Sequence, residues 1–170
     1  QGNAQRVAGT PHDYVDAQMA WDGGRMYQWP RYKQNQSMGY YRQKEVEFQF
    51  ALADAFTLCD AYHCSTHGGT NTNRLFHWTG TNDPLAQGNG PSTRNQWDSL
   101  GASNIGWTWK TYPERLQENG VTWKVYQNLP ENFGDNPLAG FQQYRRANEL
   151  AGNGSNGAPY PAWTPSMDAA

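Results

Sequence analysis

The stretch HCSTHGGTNTNRLFHWTG, residues 63–80, decides the fold expected of this chain, because a Gly-Gly pair separates two apolar segments of different character. The segment before it, TLCDAY at 57–62, is typical of a short buried strand. The segment after it, Asn71–Thr79, carries apolar residues at helical spacing and is predicted to form a short helix. Thr70 is therefore predicted to stand at the start of that helix.

The position of Thr70 suggests chemistry as well as structure. Backbone N–H groups point outward at the start of a helix, and such a site favours anions, above all phosphate. A hydroxyl there could attack phosphorus if a metal ion lowered its pKa, and Arg74, one turn later, could hold phosphate oxygens. The alternative interpretation is that Thr70 only caps the helix.

Helical patterns recur along the rest of the chain. Phe48, Leu52, Ala55 and Phe56 fall on one helical face directly before the predicted strand. An earlier helix is predicted to begin near Asp13 or Asp16 and to end at Trp21, before Gly23 and Gly24, with an aromatic-rich loop after it. A last helix is predicted over 136–152.

The segment 111–126 has the pattern of an α/β protein. Thr111 is predicted to cap a helix, with Glu114 as its capping-box partner and Gly120 at the end of the helix. The alternating residues that follow, VTWKVYQNL at 121–129, indicate a strand. Helix, glycine and strand in this order favour the α/β class, whereas 84–106 is predicted to be a long loop.

Composition excludes several classes of protein. Hydrophobic residues make up 36% of the 170 residues, so the core is lean, and 8 Trp, 10 Tyr and 6 Phe partly compensate. A net charge of −2 without basic runs argues against nucleic acid as a partner. No segment is apolar over the roughly 20 residues that a transmembrane helix needs.

Four residues near the Gly-Gly pair, Cys59, His63, Cys64 and His67, are of types that bind zinc. Their spacing is too compact for a zinc finger, so we favour free or buried thiols and core residues over a metal centre.

Three segments carry a resemblance to a known family: FQFALADAFTLCDAYHCSTHGGTNTNRLFHWTGTNDP at 48–84, YPERLQENGVTWKVYQNL at 112–129 and NPLAGFQQY at 136–144. The chain resembles the bacterial phosphatidylcholine-type phospholipases C, hemolytic and non-hemolytic. These enzymes belong to the phosphoesterases related to acid phosphatase A and, more distantly, to the alkaline phosphatase superfamily. The resemblance is dense from about Thr10 to Tyr144.

The resemblance implies specific roles for the residues after the Gly-Gly pair. The pattern G-T-x-x-N-R places the metal-bound nucleophile of the family at Thr70, with Asn73 and Arg74 binding substrate phosphate. Many relatives have Pro where this chain has Thr72, a change that a helix start is expected to tolerate. The implied fold is α/β, part of an alkaline-phosphatase-like three-layer sandwich.

Other parts of the family pattern, a strand with a Glu-Asn pair and an acidic cluster with histidines, are not recognisable here. We therefore expect residues 1–150 to be the central part of a catalytic domain, an inactive excerpt by itself, and 151–170 to be a linker or loop. The remaining ligands of a divalent metal ion, whose identity is open, are expected outside this chain.

The implied activity is hydrolysis of phosphatidylcholine or sphingomyelin to diacylglycerol or ceramide and phosphocholine, through a phosphothreonine. The implied partner is a phospholipid with a choline headgroup, with the membrane surface as substrate only, and the implied location is secreted or periplasmic. Two alternatives remain: an acid phosphatase of the same superfamily, and a non-catalytic aromatic-rich module that binds sugars or lipid headgroups.

Overall fold

The structure is a computed structural model that describes residues 7–97, 101–125 and 136–150. Contacts between Cα atoms divide the chain into two compact units, with the boundary between Gly68 and Gly69. The α-helices of the described residues are α1 (Tyr14–Trp21), α2 (Trp29–Lys33), α3 (Glu47–Ala55), α4 (Thr70–Thr79), α5 (Tyr112–Glu118) and α6 (Gln142–Leu150). Short 3-10 turns occupy Asp22–Gly24, Asn35–Met38, Gln43–Glu45 and Pro137–Gly140.

The first unit is organised by the packing of α1 against α2. Asp13 begins α1 as predicted, and its backbone N–H donates to the Asp16 carboxylate at 2.9 Å. The other carboxylate oxygen of Asp16 pairs with the buried Lys33 ammonium, which also donates to the Pro11 carbonyl at 2.9 Å. The ion pair and the hydrogen bond reduce the free-energy cost of burying the Lys33 ammonium.

The core of the second unit forms around Trp107. Its backbone N–H donates to the Gly140 carbonyl at 2.9 Å, and its carbonyl accepts from the Gln142 N–H at 2.9 Å, as an isolated parallel bridge centred on Phe141. The Trp107 ring lies directly over Gly140, where a Cβ would come within 2.2 Å of it. The fully buried apolar cluster is Leu75, Trp107, Leu138, Ala139, Phe141 and Tyr144.

A buried hydrogen-bond network joins α5 to α6. Thr111 caps α5, and its backbone N–H and hydroxyl donate to the Glu114 carboxylate at 2.7 and 2.8 Å, which confirms the predicted capping box. The same hydroxyl lies 2.7 Å from the Tyr144 hydroxyl on α6. Gly120 follows the helix with φ +68°, the left-handed conformation predicted for this position.

Both predicted strands are wrong for the residues that the structure describes. The 57–62 segment follows α3 without regular structure, and its Leu58 and Tyr62 side chains are exposed. Residues 121–125 are also irregular, whereas 126–129 lies outside the described residues. A strand needs a neighbouring strand to satisfy its backbone groups, and the described residues offer neither segment such a neighbour.

The remaining sequence predictions meet mixed outcomes. The helix ending at Trp21 is confirmed, whereas of the helix predicted over 136–152 the structure shows an α-helix at Gln142–Leu150, after a 3-10 turn at Pro137–Gly140. The helix predicted before the 57–62 segment is present as α3, but Phe48, Leu52 and Phe56 of its apolar face are exposed. The long loop is confirmed at 84–97 and 101–106. The segment after Gly24 is predicted to be a loop, but the structure has the helix α2 there. The sequence does not indicate this helix, because its five residues include Pro30 and have no apolar periodicity. The division into 1–150 and 151–170 stays a prediction, and 151–170 lies outside the described residues.

We predict that Tyr144→Phe lowers the free energy of unfolding by about 1 kcal/mol, because it removes the buried hydrogen bond to Thr111 while keeping the ring. Urea unfolding followed by tryptophan fluorescence measures this change. Tyr112→Phe is the matched control, since Tyr112 is exposed and its hydroxyl should contribute less than about 0.5 kcal/mol. Equal effects of the two substitutions would contradict the role of the network.

Candidate active site at the start of helix α4

The start of α4 presents Thr70 to solvent. Gly69, extended at φ −77° and ψ 170°, is the N-cap, and Thr70 is the first helical residue. The alternative interpretation, in which Thr70 itself caps the helix, is therefore wrong, because the N-cap is Gly69. The Thr70 side chain is exposed, and within the described residues its hydroxyl makes no hydrogen bond. A hydroxyl in this position is available to a ligand approaching the helix N-terminus.

The other two predicted site residues lie one turn further along α4. Residues 70, 73 and 74 share a face because positions three and four apart are neighbours on a helix. The Asn73 side-chain nitrogen donates to the Gly69 carbonyl at 3.1 Å, so this side chain fixes the turn that precedes Thr70. The Arg74 side chain is half-buried.

The opposite face of the same turn is buried and anchored. Asn71 and Thr72 are 5% and 2% exposed, and Leu75 belongs to the apolar core. The Thr72 hydroxyl donates to the Ser92 carbonyl at 3.1 Å, and the Asn71 side chain donates to the Gln96 carbonyl at 3.4 Å. The first turn of α4 therefore holds one position while Thr70 faces solvent.

Ser92 is the centre of a network, here called the Ser92 network, formed by Thr72, Asn82 and Ser92. The Asn82 amide pairs with the Ser92 backbone through two hydrogen bonds, donating to its carbonyl at 2.9 Å and accepting from its N–H at 3.0 Å. Ser92 itself is fully buried. The loop segment after α4 is thereby tied back to the helix start.

Asp83 holds the loop that leads to Ser92. Its carboxylate accepts backbone N–H groups from Gly88 at 2.7 Å, Gly90 at 2.9 Å and Gln87 at 3.0 Å. Burial tends to raise the pKa of Asp83, but these three donors together hold that pKa below its usual value. Gly90 must approach closely, since a Cβ there would lie 2.6 Å from the Asp83 Cβ.

Several of the aromatic rings that could bind a lipid headgroup in the binding-module alternative are core residues. Trp107 packs against Trp97, Trp109 and Phe141 with ring centroids 5.3 to 5.6 Å apart. Because Trp107 is fully buried, its ring cannot reach a ligand. Packing therefore accounts for these rings without a headgroup.

The described residues do not fit a metal ion. Among 7–97, 101–125 and 136–150, no group of three or more His, Cys, Asp or Glu side chains converges as metal ligands would. Cys59, His63, Cys64 and His67 are all exposed, so the expectation that these residues are core residues is wrong. The expectation of thiols outside a disulfide is confirmed, because both cysteines are free. The Thr70 oxygen alone does not make a metal centre.

The residues that anchor the site were missed from the sequence. Thr72, Asn82, Ser92 and Asp83 lie in or beside a polar segment without periodicity, and their pairing spans up to 20 residues. The Asn-Asp-Pro turn at 82–84 is a local signal for a turn. It carries no information about which distant backbone groups the side chains bind.

Comparison with known proteins assigns the chain to a family. The profile of the Phosphoesterase family matches residues 1–157. The chain is 61% identical over 145 residues to a non-hemolytic phospholipase C of Pseudomonas aeruginosa, an alignment that covers 85% of this chain and 21% of that protein.

More distant relatives carry similar names. The chain is 41% identical to a hemolytic phospholipase C of Pseudomonas aeruginosa over 74% of this chain and 17% of that protein, and 36% identical to phospholipase C A of Mycobacterium tuberculosis over 69% and 24%. The chain thus spans about a fifth of the length of these relatives. Among the described residues, no helix has the length and apolar character needed to cross a membrane.

We predict that Asp83→Asn destabilises the fold at neutral pH, because the amide cannot accept all three backbone donors. A carboxylate with a lowered folded-state pKa stabilises the fold above its unfolded value of about 3.9, and this contribution is lost as pH falls through the folded pKa. The difference in unfolding free energy between wild type and the Asn variant should therefore become smaller below about pH 4. Urea unfolding between pH 3 and 7 measures it, with exposed Asp54→Asn as control; a constant difference at every pH would contradict this role.

We predict that Thr72→Val lowers the free energy of unfolding by about 1 kcal/mol, since it removes the donor to the Ser92 carbonyl at nearly constant volume. Thr72→Ser keeps the hydroxyl but removes a buried methyl group, and it is therefore expected to lose about 0.8 kcal/mol for a different reason. Denaturant unfolding of wild type and both variants tests the Ser92 network. A Val variant as stable as wild type would exclude a contribution from this hydrogen bond.

Proposed function

The chain belongs to the phosphoesterase family, and from that premise we propose that the protein is a phospholipase C that hydrolyses the phosphodiester of phosphatidylcholine or sphingomyelin. The observation that carries the proposal is the exposed Thr70 hydroxyl on the first turn of a helix whose opposite face is buried. The names of the relatives support the choice of phospholipase C.

Thr70 is the proposed nucleophile. Its oxygen forms a bond to phosphorus while the bond from phosphorus to the diacylglycerol or ceramide oxygen breaks, and the leaving alcohol takes up a proton. Water then cleaves the phosphothreonine and releases phosphocholine. The free N–H groups of the first turn of α4 favour the negative charge of the phosphoryl oxygens throughout.

Asn73 and Arg74 support this step in different ways. The half-buried Arg74 guanidinium offers paired donors to phosphate oxygens on the face that carries Thr70. The bond from Asn73 to the Gly69 carbonyl fixes the backbone immediately before Thr70. We propose phosphate binding for both, with Asn73 also positioning the nucleophile.

A divalent metal ion is part of the proposal, and its function would be to lower the pKa of the attacking hydroxyl. Apart from Thr70, its ligands would come from outside the described residues. The three-layer α/β sandwich likewise belongs to the complete protein, in which the 57–62 segment would gain the neighbours that a strand requires.

We predict that Thr70→Ala in the full-length protein lowers turnover of a phosphocholine diester by about 10⁴-fold or more, because no other group replaces the nucleophile. Thr70→Ser keeps the hydroxyl and should keep measurable turnover. Since Thr70 is exposed, the unfolding free energy should change by less than about 0.5 kcal/mol. Exposed Thr93→Ala is the matched control for loss of a threonine nearby.

A second substrate separates the alternatives. A phospholipase C should cleave the phosphocholine diester in preference to a phosphate monoester, whereas an acid phosphatase would show the reverse. Retained turnover in Thr70→Ala would exclude Thr70 as the nucleophile, and absence of turnover on both substrates would favour a binding module.

A further inference from the structure

The first unit has almost no core of its own. Among residues 7–68, only Ala20 and Lys33 are buried. A domain of roughly 60 residues that folds alone buries about 60% of the surface that its unfolded chain exposes. Large apolar side chains of this unit are instead in contact with solvent.

These side chains concentrate on α3 and the segment that follows it. Phe48 is 69% exposed, Leu58 70% and Tyr62 84%. We call this surface the 48–62 face; its large apolar members are Phe48, Phe50, Leu52, Phe56, Leu58 and Tyr62. So many large exposed apolar side chains in one short segment indicate an interaction surface.

The charge of the segment argues against a membrane as the occupant. The sequence between 46 and 73 contains Glu47, Asp54 and Asp60 but no Lys or Arg. Interfacial helices that bind membranes are typically rich in Lys and Arg on their polar face. A surface that combines aromatic and aliphatic groups with acidic ones is better suited to a protein partner.

The length of the relatives identifies that partner. The Pseudomonas relatives are each about four times as long as this chain, and the family profile spans the 48–62 face. We propose that the 48–62 face is the contact surface for polypeptide of the same phosphoesterase that lies outside residues 1–170. A segment of the same chain would reach this face at high effective concentration, which a separate partner does not.

Cys59 lies within this face and Cys64 two residues beyond it, and both are free and exposed, so their thiols report whether this surface is covered. In the 170-residue chain, both should react with a maleimide at the rate of a solvent-exposed thiol. In the full-length protein from the complete reading frame, we expect labelling to be slower on the order of 100-fold or more, since it then requires local opening. Mass spectrometry of the peptide that carries both thiols separates them from other cysteines, and denaturant should restore fast labelling.

A matched pair of variants locates the effect. Leu58→Asp in the full-length protein should abolish the protection of the thiols, whereas Leu85→Asp, at a leucine 74% exposed in the second unit, should leave it unchanged. Equal labelling rates in the two proteins, or a reading frame confined to residues 1–170, would overturn the proposal. Protection that needs phosphatidylcholine vesicles would overturn it in favour of lipid, and protection lost on dilution of a dimer in favour of a second copy.

Discussion

The pairing of Trp107 with the 140–142 backbone is the interaction on which the second unit depends. Two hydrogen bonds fix the Trp107 backbone beside Gly140 and Gln142, and the absence of a side chain at Gly140 lets the indole approach the chain closely. Phe141 and Tyr144 belong to the buried apolar core around Trp107, and so does Leu75 of α4. Removing a buried leucine side chain typically costs 2–5 kcal/mol, on the order of a domain's entire margin of stability. The orientation of α4 is thereby coupled to a core formed more than 30 residues later in the chain.

The first turn of α4 is buried on one face and exposed to solvent on the other. One face, Asn71, Thr72 and Leu75, is buried and held by the core and the Ser92 network. The other face carries an exposed hydroxyl at a position where backbone N–H groups have no intrahelical acceptor. Rigidity on the buried face supports the nucleophilic role that we propose for Thr70, because a nucleophile displaced by about 1 Å can lose 100-fold in rate. The loop at 82–92, stabilised by Asp83, holds this buried face through the bond from Thr72 to the Ser92 carbonyl.

The two units differ in how much of their polar and apolar surface is covered by their own residues. In the second unit, buried Arg145 donates to the Ala139 and Ile105 carbonyls at 2.6 and 2.7 Å, and aromatic rings interdigitate around Trp107. In the first unit, polar contacts around Lys33 organise α1 and α2, while the apolar side chains of α3 remain exposed. Hydrophobic burial is the dominant stabilising term in folding, so a unit with so little of it depends on further surface for its stability.

The sequence by itself determined the features that depend on near neighbours: α1 beginning at Asp13, the capping box of Thr111 and Glu114, and the helix that begins after Gly69. It also indicated the family, through long stretches around Thr70 that resemble the sequences of its members. Only the tertiary structure decided that Thr72 and Asn82 meet at Ser92, that Tyr144 joins the Thr111 cap, and that the predicted strand at 57–62 has no pairing partner among the described residues. The physical reason is range: a cap or a helix satisfies its backbone groups within about four residues, whereas a strand and a buried polar side chain find their partners only where distant segments pack together.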